Sequence, residues 1–177
     1  ALLSVVVAWQ LGFGLAGMSA IVLTWALVAL SGIDLDHQLL PDSITLPALW
    51  AGLLLSLADG GVTPTEAIIG AAAGYLSLWL VFHGFRLLTG KEGMGHGDFK
   101  LLAVFGAWLG WESLPLIILL SSVVGAVMGG LLMASGALRR DQPMPFGPFI
   151  AAAGWIALLW GDAIWHAYLA FSGLQAG

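Results

Sequence analysis

Two short stretches combine acidic side chains with glycine, proline or histidine, and each lies at the edge of a long hydrophobic run. They are DLDHQLLPD at residues 34–42 and GHGD at residues 95–98. Ionisable groups beside hydrocarbon are costly, so their presence marks a candidate functional site. Two carboxyl groups that reach one water cannot both ionise easily, so one keeps a proton while the other takes a proton from the water. Such a pair can hydrolyse a peptide bond, and Asp34 and Asp98 are the candidates.

The composition indicates a membrane protein. Of 177 residues, 60% are hydrophobic and 8% are charged, whereas an ordinary soluble domain has about 25% charged residues. The chain has no cysteine, which excludes a disulfide framework, a thiolate metal site and a cysteine nucleophile. A net charge of -5 and the absence of a Lys/Arg run argue against a nucleic-acid partner.

Hydrophobic runs predict an all-α fold, a polytopic integral membrane helical bundle with about six complete transmembrane helices plus a partial N-terminal one. All 177 residues are assigned to one membrane domain, and we expect a fragment that lacks an upstream cytoplasmic region. The lipid bilayer is therefore an expected partner. The predicted segments are 1–13, 15–33, 43–57, 64–88, 98–109, 114–137 and 146–171.

The charges are divided between the two ends of the predicted bundle. If the segments alternate in direction, the turns near 34–42, 86–98 and 138–145 lie on one side, and the positive-inside rule makes that side cytoplasmic. The basic residues there are Arg86, Lys91, Lys100, Arg139 and Arg140. The other side carries only acidic residues, namely Asp59, Glu66, Glu112 and Asp162.

Local patterns also predict structural roles. Thr63 and Glu66 have capping-box spacing around Pro64, which predicts a helix start. Gly70 and Gly74 have the spacing of small residues at a close helix crossing.

Several residues near the two candidate carboxylates have a structural as well as a functional interpretation. Asp34 directly follows an apolar run, so we expect it to lie deeper than Asp36. Asp42 is interpreted chiefly as the cap of the third helix. Asp98 would cap the fifth helix, a role that is compatible with catalysis.

The glycines beside Asp98 suggest room for a substrate. Gly95 and Gly97 lack side chains, which would let an extended peptide approach closely. His37 and His96 are interpreted either as interfacial residues or as groups that orient or tune a carboxylate.

Both motifs, in this order and spacing, resemble the two signature motifs of the bacterial type IV prepilin peptidases, which belong to the GxGD class of intramembrane aspartic proteases. The matching stretches are DLDHQLLPD, GMGHGDFKLLA at 93–103 and PMPFGPF at 143–149. The resemblance implies cleavage after a glycine of the short basic leader of prepilins and type II secretion pseudopilins, at the cytoplasmic face of the inner membrane. It makes Asp34 and Asp98 the catalytic pair.

The same resemblance suggests which residues shape the site and which partner they meet. Pro41, Gly95, His96 and Gly97 belong to the matching motifs. Asp36 and Asp42 would supply negative charge for a basic leader, whose N-terminal helix is the expected partner.

One departure from that family limits the expectation. Full-length members commonly carry an upstream region, often with paired cysteines that bind zinc, and they methylate the new N-terminus with S-adenosylmethionine. This chain has no cysteine. We therefore expect no cofactor for the peptidase step, S-adenosylmethionine and zinc only in a missing upstream domain, and no methyltransferase activity from this chain alone.

Two rival interpretations remain open from sequence. Asp34, Asp36, Asp98, His37 and His96 would also suit a divalent-metal site or an ion pathway, although the helical H-x-x-x-H and H-E-x-x-H patterns are absent. A purely structural membrane subunit is the second rival, but it would not explain why Asp34 and Asp98 lie beside hydrophobic segments.

Overall fold

The computed structural model describes residues 1–58, 61–90, 94–136 and 144–172, and within these ranges all regular structure is helical. This confirms the predicted all-α fold. A 3-10 turn at Trp111–Ser113 precedes the sixth helix. The α-helices are α1 (Leu2–Leu11), α2 (Leu15–His37), α3 (Asp42–Leu55), α4 (Pro64–Thr89), α5 (His96–Leu109), α6 (Leu114–Ala134) and α7 (Gly147–Ser172).

Four of the described helices are long and apolar enough to cross a bilayer, so the chain is a multi-pass membrane protein. They are α2, α4, α7 and α6 together with its preceding turn. The other two predicted spans form helices as expected, but α3 and α5 have 14 residues each. At about 1.5 Å per residue such a helix is roughly 21 Å long, less than the roughly 30 Å of a bilayer core. Two of the six helices that were expected to cross the membrane are therefore shorter than the bilayer core.

Helix α2 continues one turn beyond its predicted end. The backbone N–H of Gln38 donates to the carbonyl of Asp34 at 2.8 Å, and Gln38 ends the helix in a left-handed conformation with φ 53°. Pro41 then starts α3, since its carbonyl accepts the N–H groups of Ile44 and Thr45 at 3.1 Å each. As a result, Asp34 lies in a rigid helical turn.

Helix α5 lies at the centre of the bundle and packs against α3, α4 and α7. Glycines permit its close contact with α4, because a side chain on Gly70 would collide with the backbone of Gly106. A methyl group on Gly74 would lie 2.7 Å from the carbonyl oxygen of Leu102. The predicted small-residue packing is confirmed, and it fixes the helix that carries Asp98.

The end of the bundle opposite Asp98 has the predicted acidic character. Glu66 and Thr63 form the expected capping box, with the Thr63 N–H donating to Glu66 Oε2 at 2.9 Å. Glu66, Glu112 and Asp162 line one cavity of about 690 Å³. Lys91, Arg139, Arg140 and Asp59 lie outside the described residues, so their predicted sides stay predictions.

Candidate active site

The two candidate carboxylates come together at one end of the bundle. Asp34 lies in the last turn of α2 and Asp98 in the first turn of α5. Their residues are 5% and 4% exposed, whereas Asp36 is exposed. Asp34 therefore lies deeper than Asp36, as predicted, and both candidate carboxylates are buried at the same end of the bundle. Leu40 lies between the two segments, since its side chain borders both Gly97, next to Asp98, and Gly147, which binds Asp34.

Each carboxylate is held through one oxygen by a glycine backbone N–H. Gly147 donates to Asp34 Oδ2 at 3.0 Å, and Gly95 donates to Asp98 Oδ2 at 3.2 Å. No described buried side-chain oxygen lacks a hydrogen-bond partner. Since neither Oδ1 accepts a hydrogen bond from the described residues, both must be open to water. The pair thus presents two accessible oxygens on two fixed carboxyl groups.

Asp98 is positioned by its own helix. Gly95 is the N-cap of α5 with ψ 150°, and Asp98 is the third helical residue, whose side chain returns to the Gly95 N–H. A carboxylate in this position is stabilised by the positive end of the helix. Asp98 therefore supports the start of α5 from its third residue, while Gly95 holds the N-cap position itself.

Leu40 fills the space between the starts of α5 and α7. It is 7% exposed. A methyl group on Gly97 would lie 2.7 Å from Leu40 Cβ, and one on Gly147 would lie 3.2 Å from Leu40 Cδ1. The expected room for substrate at Gly97 is thus occupied by Leu40. Gly95 is different, because the only described atoms that a methyl group there would meet are Asp98 Oδ2, at 3.8 Å, and the Gly97 nitrogen, at 4.0 Å.

The predicted capping role of Asp42 is wrong. Pro41 is the N-cap of α3, and no side chain caps this helix. Asp42 instead forms an ion pair with Lys100 on α5, with Nζ to Oδ distances of 2.6 and 2.8 Å. Its charge is therefore already balanced, whereas Asp36 is an exposed carboxylate of the first motif with no ion pair among the described residues.

The histidines of the two motifs have different surroundings. His96 packs its ring against Phe82 and Phe99 at centroid distances of 5.0 and 5.5 Å, and His37 is an exposed residue at the end of α2. The hypothesised effect of His96 on a carboxylate stays a prediction. In the described part of the chain, no three His, Cys, Asp or Glu side chains form a group that could hold a metal ion.

Sequence reasoning missed Gly147 and Leu40 as parts of this site. Gly147 lies within PMPFGPF, where Pro148 signals a helix start. Leu40 lies within DLDHQLLPD and looks like an ordinary apolar residue there. Both act through contacts between distant segments, so no local pattern identifies them.

Comparison with known proteins gives a consistent result. The type IV leader peptidase family model matches residues 21–130, a range that includes Asp34 and Asp98. The prepilin leader peptidase/N-methyltransferase of Aeromonas hydrophila is 59% identical over 169 residues, which are 96% of this chain and 58% of that protein. The protein of the same name from Pseudomonas aeruginosa is 54% identical over 175 residues, which are 99% of this chain and 60% of that protein.

A third protein of that name, from Legionella pneumophila, is 46% identical over 169 residues, or 96% of this chain and 59% of that protein. The chain thus spans less than two thirds of the length of these curated relatives. No solved structure matches it. On the family match and these identities, the chain belongs to the type IV leader peptidase family.

Proposed function

We propose that this chain is a membrane aspartic endopeptidase that removes the basic leader from type IV prepilins and pseudopilins. The observation that carries the proposal is the buried pair Asp34 and Asp98, each bound by a glycine N–H through Oδ2 and open to water at Oδ1. The names of the relatives, all prepilin leader peptidase/N-methyltransferase, supply the substrate class. Asp36 is exposed and suits attraction of a basic leader.

The chemistry follows from two carboxyl groups and one water. One carboxylate takes a proton from the water, which attacks the scissile carbonyl carbon, while the other carboxyl group donates its proton to the carbonyl oxygen. The tetrahedral gem-diol then collapses and the C–N bond breaks. The departing amine takes the proton that the first carboxyl group removed from the water, and a gem-diol hydroxyl returns its proton to the second carboxylate. The substrate must unwind locally at this point, because a helix engages its own carbonyls in hydrogen bonds.

The proposal assigns only the peptidase step to residues 1–177. This step is proposed to need no metal and no organic cofactor, because the two carboxyl groups supply both proton transfers. The chain has no cysteine, so its residues do not fit a thiolate zinc site. The site is proposed to face the cytoplasm from the inner membrane, an orientation supported by Arg86 and Lys100 in the segments near it.

A cleavage assay tests the proposal. Purified wild type, Asp34→Asn and Asp98→Asn are incubated in lipid vesicles with a prepilin, and the products are located by mass spectrometry, with and without a strong chelator. We expect wild type to cut after the leader glycine in both conditions, and each asparagine variant to lose about 10²–10⁴-fold or more in rate. Cleavage that stops with the chelator would favour the rival metal site, and full activity of either variant would remove that residue from the pair.

A further inference from the structure

The two carboxylates are held in different ways. Asp98 is bound by a residue of its own helix end, three positions away, whereas Asp34 is bound by Gly147, which lies 113 positions along the chain and on α7. The geometry of Asp98 is therefore local to α5. The geometry of Asp34 depends on how α7 docks against α2.

The start of α7 leaves one backbone donor directed at Asp34. Pro148 has no N–H, and the N–H groups of Phe149 and Ile150 donate to the Phe146 carbonyl at 3.1 and 3.2 Å. Of the first four residues of α7, Gly147 alone donates outside this local turn. The bond to Asp34 Oδ2 is buried and lies at the positive end of the helix.

Only a residue without a side chain permits this bond at its present length. A methyl group at Gly147 would lie 2.6 Å from Asp34 Oδ2 and 3.2 Å from Asp34 Cγ. On the other flank, Leu40 Cδ1 would be 3.2 Å away. Because Leu40 is itself packed against Gly97, the added methyl group can be accommodated only if the Asp34 carboxylate moves.

We propose that Gly147 is a positioning residue for Asp34: its N–H fixes Oδ2 and thereby presents Oδ1 to the water and to Asp98. This inference rests on the proposed peptidase function. It makes the N-terminus of α7 the third structural element of the site, after the end of α2 and the start of α5. Nothing in the sequence motifs around Asp34 and Asp98 assigns this role.

A kinetic comparison tests the role. The variant is Gly147→Ala, and the matched control is Gly161→Ala on the same helix, where a methyl group would meet no atom within 4 Å. We expect kcat for prepilin cleavage to fall about 10–100-fold in Gly147→Ala with KM changed by less than about twofold, because a misplaced catalytic group lowers kcat. Gly161→Ala keeps the wild-type values. Equal kcat in the two variants would overturn the inference.

Substrate binding separates lost positioning from lost folding. The affinity and stoichiometry of uncleaved prepilin are measured on Asp98→Asn with and without Gly147→Ala. Unchanged stoichiometry together with the lower kcat is the expected result. A stoichiometry that falls in proportion to kcat would mean that Gly147 merely supports folding, and would overturn the inference.

A spectroscopic measurement decides the matter even if Gly147→Ala fails to fold. The chain contains three Phe-Gly pairs, at Gly14, Gly106 and Gly147, so labelling phenylalanine carbonyl carbon and glycine nitrogen isolates three amide signals. We expect the Gly147 signal to shift in Asp34→Ala and to stay in place in Asp36→Ala. An unmoved signal in Asp34→Ala would refute the bond. A wild type that cleaves no prepilin would instead refute the proposed function, which these amide signals do not report.

Discussion

Gly97 makes room for Leu40, and this packing predicts a compensating pair of substitutions. In Gly97→Ala the new methyl group would lie 2.7, 3.2 and 3.3 Å from Cβ, Cδ1 and Cγ of Leu40. Overpacking of this kind costs about 1–3 kcal/mol. Leu40 is only 7% exposed. We therefore expect Leu40→Ala to lower the free energy of unfolding by about 2–5 kcal/mol through the cavity that it leaves.

The double variant should lose less stability than the sum of the two single losses, because truncation removes the contacts with Cδ1 and Cγ at 3.2 and 3.3 Å and lets the remaining Cβ of residue 40 move into the vacated space. We expect a coupling energy of about 1 kcal/mol or more. The free energies of unfolding of wild type, both single variants and the double variant are measured in mixed micelles under identical conditions. Additivity within about 0.5 kcal/mol would refute the packing role of Gly97.

Gly95 provides the contrast, because the space around it is open. Gly95→Ser places a good N-cap residue at φ -80° and ψ 150°, with no contact under 3.8 Å for its Cβ. We expect its stability to stay within about 0.5 kcal/mol of wild type. A fall in kcat/KM without a fall in stability would identify Gly95, and not Gly97, as the glycine that a substrate backbone passes; an unchanged kcat/KM would contradict that role.

Three further predictions concern the framework around the site. Asp42→Asn should lower the free energy of unfolding by no more than about 1 kcal/mol, because the side chains of Asp42 and Lys100 are 54% and 32% exposed. In a Lys100→Met background the same substitution should have no effect. A larger loss that persists without Lys100 would argue against the ion pair as its cause. Thr63→Ala should lower the free energy of unfolding by about 1 kcal/mol and leave kcat unchanged, since Thr63 lies at the opposite end of the bundle. Gly106→Ala should yield little folded protein by size-exclusion chromatography, because its methyl group would collide with the α4 backbone. The control Gly84→Ala should fold normally, since its methyl group would meet no described atom within 4 Å. Equal yields of the two variants would contradict the tight crossing of α4 and α5.

The helices and the two key carboxylates could be predicted because their signals are local. Apolar runs have helical length, and Thr63 with Glu66 marks a helix start whichever way the bundle packs. Asp34 and Asp98 are candidates because a carboxyl group at the edge of hydrocarbon is costly and because the family resemblance pairs them; their catalytic role stays a prediction. The helix positions and the helix start at Thr63 can be predicted without knowing how the helices pack.

The contacts that complete the site could not be predicted, because they join distant segments. The bond from Gly147 to Asp34 spans 113 positions, and the ion pair of Asp42 with Lys100 spans 58. Asp42 was misassigned as a cap because capping depends on which residue leaves the helical conformation, and Pro41 does so first. A single sequence shows the chemical type of each side chain but not which distant residue contacts it in the folded protein.

The central claim is that Asp34 acts chemically and not merely as an acidic residue near the membrane surface. The most direct measurement is kcat for prepilin cleavage by Asp34→Asn and Asp36→Asn, two isosteric changes on the same helix end, one buried and one exposed. We expect Asp34→Asn to lose about 10²–10⁴-fold or more and Asp36→Asn to keep kcat within about twofold, with any effect confined to KM. Equal kcat values for the two variants would contradict the account.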